Sequence, residues 1–248
     1  MRIVIQPSYE HLRDFITRLP LTFEQQGETL YQGRNCVKRF IENGQVFIVK
    51  RYKRPHFIQR IAYTWFRPSK ARRAYNFALR LEEMQISTPT PIAYIEKKQG
   101  GLFRDSYFVS AYCPDPTLFP ELVEKPVFDS GLAHALAAEV VEWHKKGFLH
   151  GDLNLANILY RISPGGQYAF TVIDINRSHF VPQPSKDQCL TNLMRLTHRI
   201  DLLRQLTEHY ARQRGWEPQQ CCDSVETKLH AFEQRREKKR KLKHTIRL

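Results

Sequence analysis

The segment Phe148-Leu149-His150-Gly151-Asp152-Leu153-Asn154-Leu155-Ala156-Asn157-Ile158-Leu159 constrains this chain more than any other stretch. Before it, Leu132, Leu136, Val140 and Trp143 share one face at helical spacing, which predicts a helix from a cap at Asp129 or Ser130 through Lys146. Gly147 follows as a residue able to take the left-handed turn that ends it. After the segment, residues 158–162 and 169–174 read as strands joined by the turn Ser163-Pro164-Gly165-Gly166. A polar loop is therefore expected between a helix and a hairpin, and the hairpin returns Asp174 towards Asn157.

Those residue types suit phosphoryl transfer. The reaction needs a carboxylate to orient or deprotonate an attacking hydroxyl and oxygen ligands for a metal beside it. Asp152 supplies the carboxylate, and Asn157 with Asp174 supplies oxygen ligands of the kind Mg²⁺ accepts. His150 is expected beneath the loop, bonding backbone rather than reacting. Gly151 stands between them. Lys50, at the end of an apolar run from Val46, suits contact with the α- and β-phosphates of a nucleotide. Gly33, in the connection Tyr31-Gln32-Gly33-Arg34-Asn35, is a candidate phosphate cover. His144, beside Trp143, reads as a packed helix residue and not a ligand.

The first third of the chain reads as β-rich. Residues 29–31, 37–41 and 46–50 are predicted strands, with the Asn43-Gly44 hairpin signal between the last two. A short helix is expected over 11–19, stopped by Pro20. Ser69 opens a longer helix to about residue 85, with Ala71, Ala74, Tyr75, Ala78 and Leu81 on one face. Strands over 92–96 and 107–112 follow, and residues 187–232 read as helical. The fold class is α+β, with an N-terminal domain over 1–112, a mainly helical domain over 113–248, and a basic tail at about 233–248.

Composition narrows the partners. Across 248 residues, 42% apolar and 12% aromatic side chains permit a packed core and exclude wholesale disorder. No stretch approaches the ~20 apolar residues of a membrane span. The N-terminal apolar run is too short for a secretory leader. Five cysteines without metal-ligand spacing suit a reducing cytoplasm. The net charge of +14 calls for an anionic partner. It is concentrated: residues 50–80 hold ten Lys and Arg, no acid, and the aromatics Tyr52, Phe57, Tyr63, Trp65 and Phe66. That mixture, together with the tail, points to an anionic membrane surface. No nucleic-acid motif is recognised, so nucleic acid ranks last.

Taken together, the loop 148–159, the run Trp143-His144-Lys145-Lys146-Gly147 leading into it, Thr88-Pro89-Thr90-Pro91-Ile92-Ala93-Tyr94, and Ile173-Asp174-Ile175-Asn176-Arg177 resemble the protein-kinase-like superfamily. Within it, the chain is similar to the lipopolysaccharide core kinases, the Kdo/heptose group, from roughly residue 31 to 210. The resemblance implies a bilobal fold: a small β-rich N-lobe with one helix and a mainly helical C-lobe. It implies ATP and Mg²⁺ as cofactors, Asp152 as base, Asn157 and Asp174 as metal ligands, and Lys50 as phosphate contact. Backbone groups of Ser110, Ala111 and Tyr112 would meet the adenine. The substrate implied is a sugar hydroxyl of lipid-linked lipopolysaccharide inner core, at the cytoplasmic face of a Gram-negative inner membrane. Three departures stand out. Asp174-Ile175-Asn176 replaces Asp-Phe-Gly, no Ala-Pro-Glu follows, and the helix opened by Ser69 lacks an acid in its first three turns. Asn76, Glu82 and Glu83 are the candidates to partner Lys50. Competing readings are an atypical protein or small-molecule kinase, and a pseudokinase binding nucleotide or an acidic partner.

Overall fold

The structure, a computed structural model, describes residues 1–245. In chain order its elements are β1 (Arg2–Ile5), α1 (Arg13–Thr22), β2 (Glu28–Gln32), β3 (Cys36–Glu42), β4 (Gln45–Arg51), α2 (Phe57–Trp65), α3 (Lys70–Glu83), β5 (Pro91–Gln99) and β6 (Leu102–Ala111). There follow α4 (Ser130–Lys145), β7 (Phe148–Leu149), β8 (Ile158–Ile162), β9 (Tyr168–Val172), β10 (His179–Phe180), α5 (Lys186–Leu193), α6 (Ile200–Gln213) and α7 (Pro218–Thr245). Two compact units divide them: residues 1–114 with 174–176, and residues 115–173 with those from 177 onward.

Alternation along the strands builds the first unit. Its described strands form one antiparallel sheet in the order β1-β5-β6-β4-β3-β2. On β4, Phe47 and Val49 are buried on one face, and Lys50 lies on the other because successive side chains alternate. Phe47 and Val49 join Ala93, Ile95, Tyr107 and Val109 under α1, which contributes Phe15, Ile16 and Leu19. Against the opposite face α3 lays Ala71, Ala74 and Tyr75, meeting Tyr94 and Tyr52. Asn43 and Gly44 turn β3 into β4 with φ of 51° and 75°. Those values belong to the type I′ hairpin that an Asn-Gly pair favours.

The second unit is organised by α4, whose Leu132, Leu136, Val140, Trp143 and His144 are buried. Asp129 caps it, accepting from the Leu132 amide at 3.0 Å. Gly147 ends the helix with φ +84°, and a Cβ there would strike the carbonyl of Val181. Only glycine meets both conditions. The β8–β9 hairpin pairs Ile158 with Val172, and the Ile173 amide donates to the Asn157 carbonyl at 2.9 Å. Helices α5, α6 and α7 complete the unit.

The structure corrects the expected pattern in three places. Pro20 lies inside α1 instead of ending it. Its missing N–H costs the helix one bond, while Leu12, Phe15, Ile16, Leu19 and Phe23 bury nearly completely along one side. At ~1.5–3 kcal/mol per buried side chain, that anchoring outweighs the ~3 kcal/mol a helical proline costs. Besides the helices expected over 11–19 and from Ser69, the N-terminal half carries α2. The short edge strand β1 was read as a mere apolar run. The basic tail continues α7 as far as Thr245. The part of the expected tail at 246–248, including Arg247, falls outside the described residues.

Candidate active site

His150 is 1% exposed and bonded at both ring nitrogens. Nδ1 accepts from the Asp152 amide at 3.1 Å, so the proton sits on Nε2, which donates to the Ile173 carbonyl at 2.9 Å. The ring thus ties the loop to the end of β9. Beside it, a Cβ on Gly151 would overlap the carbonyl oxygen of Arg177. The glycine lets the loop lie directly on that backbone. The carbonyl of Asp152 accepts from Asn157 Nδ2 at 2.9 Å and Asn154 Nδ2 at 3.1 Å, and the Leu155 amide donates to Leu196 at 3.2 Å. Asn157 thus spends its amide nitrogen on the loop backbone.

Behind the loop runs a buried relay that sequence reasoning did not identify. Tyr210 on α6 donates its hydroxyl to His144 Nδ1 at 2.8 Å, and His144 Nε2 donates to Asn192 Oδ1 at 3.0 Å. Asn192 Nδ2 then donates to the His150 carbonyl at 2.6 Å. Burial drives the His144 pKa down to about 4, so the imidazole stays neutral. His144 is therefore a packed helix residue, as expected, and also a link from α6 to the loop.

Both carboxylate oxygens of Asp152 are engaged. Arg195 Nη2 donates to Oδ1 at 2.9 Å and Arg177 Nη1 to Oδ2 at 3.2 Å. The two arginines differ. Arg195 is 26% exposed, its guanidinium 4.9 Å from the ring centre of Phe232, whereas Arg177 is 54% exposed. Neither was singled out from sequence. Arg177 sat in the run 173–177 already noted, but nothing in the chain near Arg195 marks it, since it meets Asp152 across 43 positions.

Within the first unit, Lys50 Nζ donates to Asp174 Oδ1 at 2.6 Å across 124 positions. Asn176 Nδ2 bonds the same oxygen at 2.6 Å. Asp174 has φ +56°, a left-handed conformation in which Asp is one of the few side chains tolerated. Tyr52 lies under the ammonium, 5.5 Å from ring centre to Nζ. Burial first, and the Asp174 charge second, hold its hydroxyl protonated far above the ordinary range. Lys50 thus takes its anion from Asp174. Asn76, Glu82 and Glu83, the expected candidates, are exposed on α3. Helical period explains this: the face toward the sheet is filled by Ala71, Ala74, Tyr75 and Ala78.

Gly33 donates its amide to the Asn35 carbonyl at 3.0 Å. It borders a hollow of about 300 Å³ lined also by Arg34, Arg51, Lys53 and Arg54. Ser110 and Ala111 end β6. The Ala111 amide donates to Thr90 at 2.9 Å and the Tyr112 amide to Val46 at 3.2 Å. Those pairings commit both amides within the first unit.

Helix α2 carries the aromatic half of the basic block. None of its residues is buried. It is held by Arg60 Nε donating to the Phe103 carbonyl at 2.8 Å and the Phe103 amide donating to Thr64 Oγ1 at 2.9 Å. Phe57, Ile58, Trp65 and Phe66 stand exposed. Beside them a hollow of about 480 Å³ is walled by Arg2, Arg67, Arg72 and Lys98 together with Tyr63 and Trp65.

The sheet with α1 and α3, and the helix–loop–hairpin after it, define a protein-kinase-like α+β fold. A solved structure of WaaP in complex with acyl carrier protein superposes with TM-score 0.62 over 96% of this chain and 99% of that one, at 19% identity. An aminoglycoside-3'-phosphotransferase of type VIII superposes with TM-score 0.55 over 87% and 99%, at 12% identity. These likenesses establish the fold. The chain belongs to the lipopolysaccharide kinase (Kdo/WaaP) family, whose sequence profile matches residues 25–221. A curated relative, the 3-deoxy-D-manno-octulosonic acid kinase of Vibrio vulnificus (strain YJ016), is 27% identical over 135 residues. That match spans 53% of this chain and 54%, about half, of the relative's length.

Proposed function

We propose that this protein transfers the γ-phosphate of ATP to a sugar hydroxyl of the lipopolysaccharide inner core, Kdo or heptose. The observation that carries the reading is the braced loop in which Asp152 is fixed by His150, Asn154 and Asn157 in a member of this family. Asp152 takes the proton of the acceptor hydroxyl. The hydroxyl oxygen bonds the γ-phosphorus while the bond from phosphorus to the β,γ-bridging oxygen breaks, and ADP leaves. Lys50 holds the α- and β-phosphates once a nucleotide competes for its ammonium.

The Asp174 carboxylate and the Asn157 amide oxygen are donors of the types Mg²⁺ takes, and these two residues would hold the ion with water and phosphate. When bound, it would supply charge neutralisation of the phosphates. His150 and Gly151 set the loop's position and touch no substrate in this reading.

The surface of α2, with exposed Trp65 and Phe66 beside four cations, supports a place against an anionic membrane. Among the described residues no helix is long and apolar enough to cross one. The protein would act at the cytoplasmic face of the inner membrane, with its basic α7 adding attraction. Mass spectrometry of lipid A–core from cells with and without the chain tests the reading. Wild type should restore one phosphate and Asp152→Ala should not; an unchanged profile would remove the lipopolysaccharide acceptor.

A further inference from the structure

Along α7 the buried side chains Cys222, Val225 and Leu229 follow one another at helical spacing, and the next position on that stripe is Phe232. Phe232 is half-buried, and its ring carries cations. The Arg195 guanidinium lies 4.9 Å from the ring centre and that of Arg236, one turn further on, 5.6 Å. Beside it, Glu233 Oε1 accepts from His198 Nδ1 at 2.6 Å. Arg195 and His198 both belong to the connection 194–199 between α5 and α6. That same connection meets the catalytic loop twice. The Leu196 carbonyl takes the Leu155 amide at 3.2 Å, and Arg195 Nη2 donates to Asp152 Oδ1 at 2.9 Å. A few residues thus join the last packed turn of α7 to the base.

We propose that Phe232 is a positioning residue for Asp152 and acts through Arg195. The inference rests on the reading of Asp152 as the base. The Asp152 carbonyl is held by Asn154 and Asn157, but its carboxylate can still turn about its own side-chain bonds. Each carboxylate oxygen takes one arginine bond and keeps a lone pair for the acceptor proton. The direction of that lone pair is what the two arginines set. Arg177 is exposed, and exposed pairs hold weakly. Arg195 is the better placed, yet among the described residues its one side-chain hydrogen bond is the one to Asp152, and its buried Nε has none. The Phe232 ring therefore holds the guanidinium in place, by the attraction of a partly desolvated cation for an aromatic face. A base that drifts in direction lowers the rate of the chemical step and leaves binding alone. The family's sequence profile ends at residue 221, and Phe232 lies beyond it.

Variants of the full chain test this. Phe232→Leu keeps apolar bulk and removes the ring; Phe232→Tyr keeps the ring. With ATP and a Kdo-bearing lipid A precursor, kcat should fall roughly tenfold in Phe232→Leu, the scale of one cation–π contact, with KM for both substrates unchanged. Phe232→Tyr should stay near wild type. Arg195→Met should lower kcat at least as far, and adding Phe232→Leu to it should lower kcat no further, because the two residues act as one unit. A kcat kept in Phe232→Leu, or a fall that Phe232→Tyr shares, would overturn the proposal. So would equal fractional falls with and without Arg195, which would make Phe232 a packing residue only. If wild type leaves the lipid unphosphorylated, the acceptor reading falls alone, and the same variants compared by acceptor-free ATP hydrolysis decide the positioning role by the same criteria. If Asp152→Asn keeps full activity, the base reading falls and takes this one with it.

Discussion

The loop at 148–157 and the stretch at 57–67, both used by the proposed function, are held in opposite ways. In the loop nearly every polar group has a partner within the fold: His150 at two nitrogens, the Asp152 carbonyl from two amides, and the His150 carbonyl from Asn192. In α2 no residue is buried, and a few bonds to Phe103 keep it on the sheet. The first region is braced at side chain and backbone alike, and general-base chemistry depends on such fixed placement. The second presents apolar and cationic surface at little cost to folding. Substitutions should therefore damage catalysis or stability in one region and only surface attraction in the other.

The largest effect should come from Asp152→Asn. Phosphotransfer is expected to fall ~10²–10⁴-fold, the range of a general base, with ATP affinity kept; single-turnover transfer and nucleotide titration would show it. Lys50→Met removes the partner of Asp174 and the phosphate contact, and about 10² in kcat/KM is the scale for one such electrostatic group. A loss in kcat/KM of less than threefold would shift the phosphate role away from Lys50.

Next in size is the relay behind the loop. Asn192→Leu leaves the His150 carbonyl and His144 Nε2 without partners, at ~1–3 kcal/mol for each buried group. Urea unfolding should show that loss, and kcat should fall with it. Acid acts on the same relay. The folded pKa of His144 is about 4, below its ordinary 6.5, so the fold favours the neutral ring. The stabilisation is full above pH 6.5 and is lost as pH falls towards 4. Between pH 7 and 5 the wild type should lose ~2 kcal/mol through this residue, and His144→Gln should lose that much less. Equal pH slopes for the two proteins would show that the ring is not held neutral.

The smallest effect on folding is expected in the other region. Trp65→Ser with Phe66→Ser should change unfolding free energy within about 0.5 kcal/mol, as exposed sites do. Sedimentation with anionic vesicles should drop, and more so at high salt. If stability falls with binding, the contrast between the two regions fails.

Much of the frame could be read along the chain because its signals are short-range. The cap at Asp129, the stop at Gly147, the Asn43-Gly44 turn and the burial of His150 under its own loop each depend on residues a few positions apart. A helical or strand period reports which face is apolar, and that suffices to place α3, α4 and the β8–β9 hairpin. It does not report what a polar side chain will meet. Pro20 and α2 escaped for a related reason: local propensity argued against one, and no buried stripe announced the other.

Tertiary structure alone decided the partners of the acids. Lys50 meets Asp174 over 124 positions, and Arg195 meets Asp152 over 43. Asn76 faces outward because α3 turns its small residues to the sheet. The sequence by itself determined which residues could do chemistry and roughly where the chain turns, since torsional preference and apolar period act locally. Which cation stands on which carboxylate depends on elements distant in sequence packing side by side, and such pairings leave no trace in any window of residues.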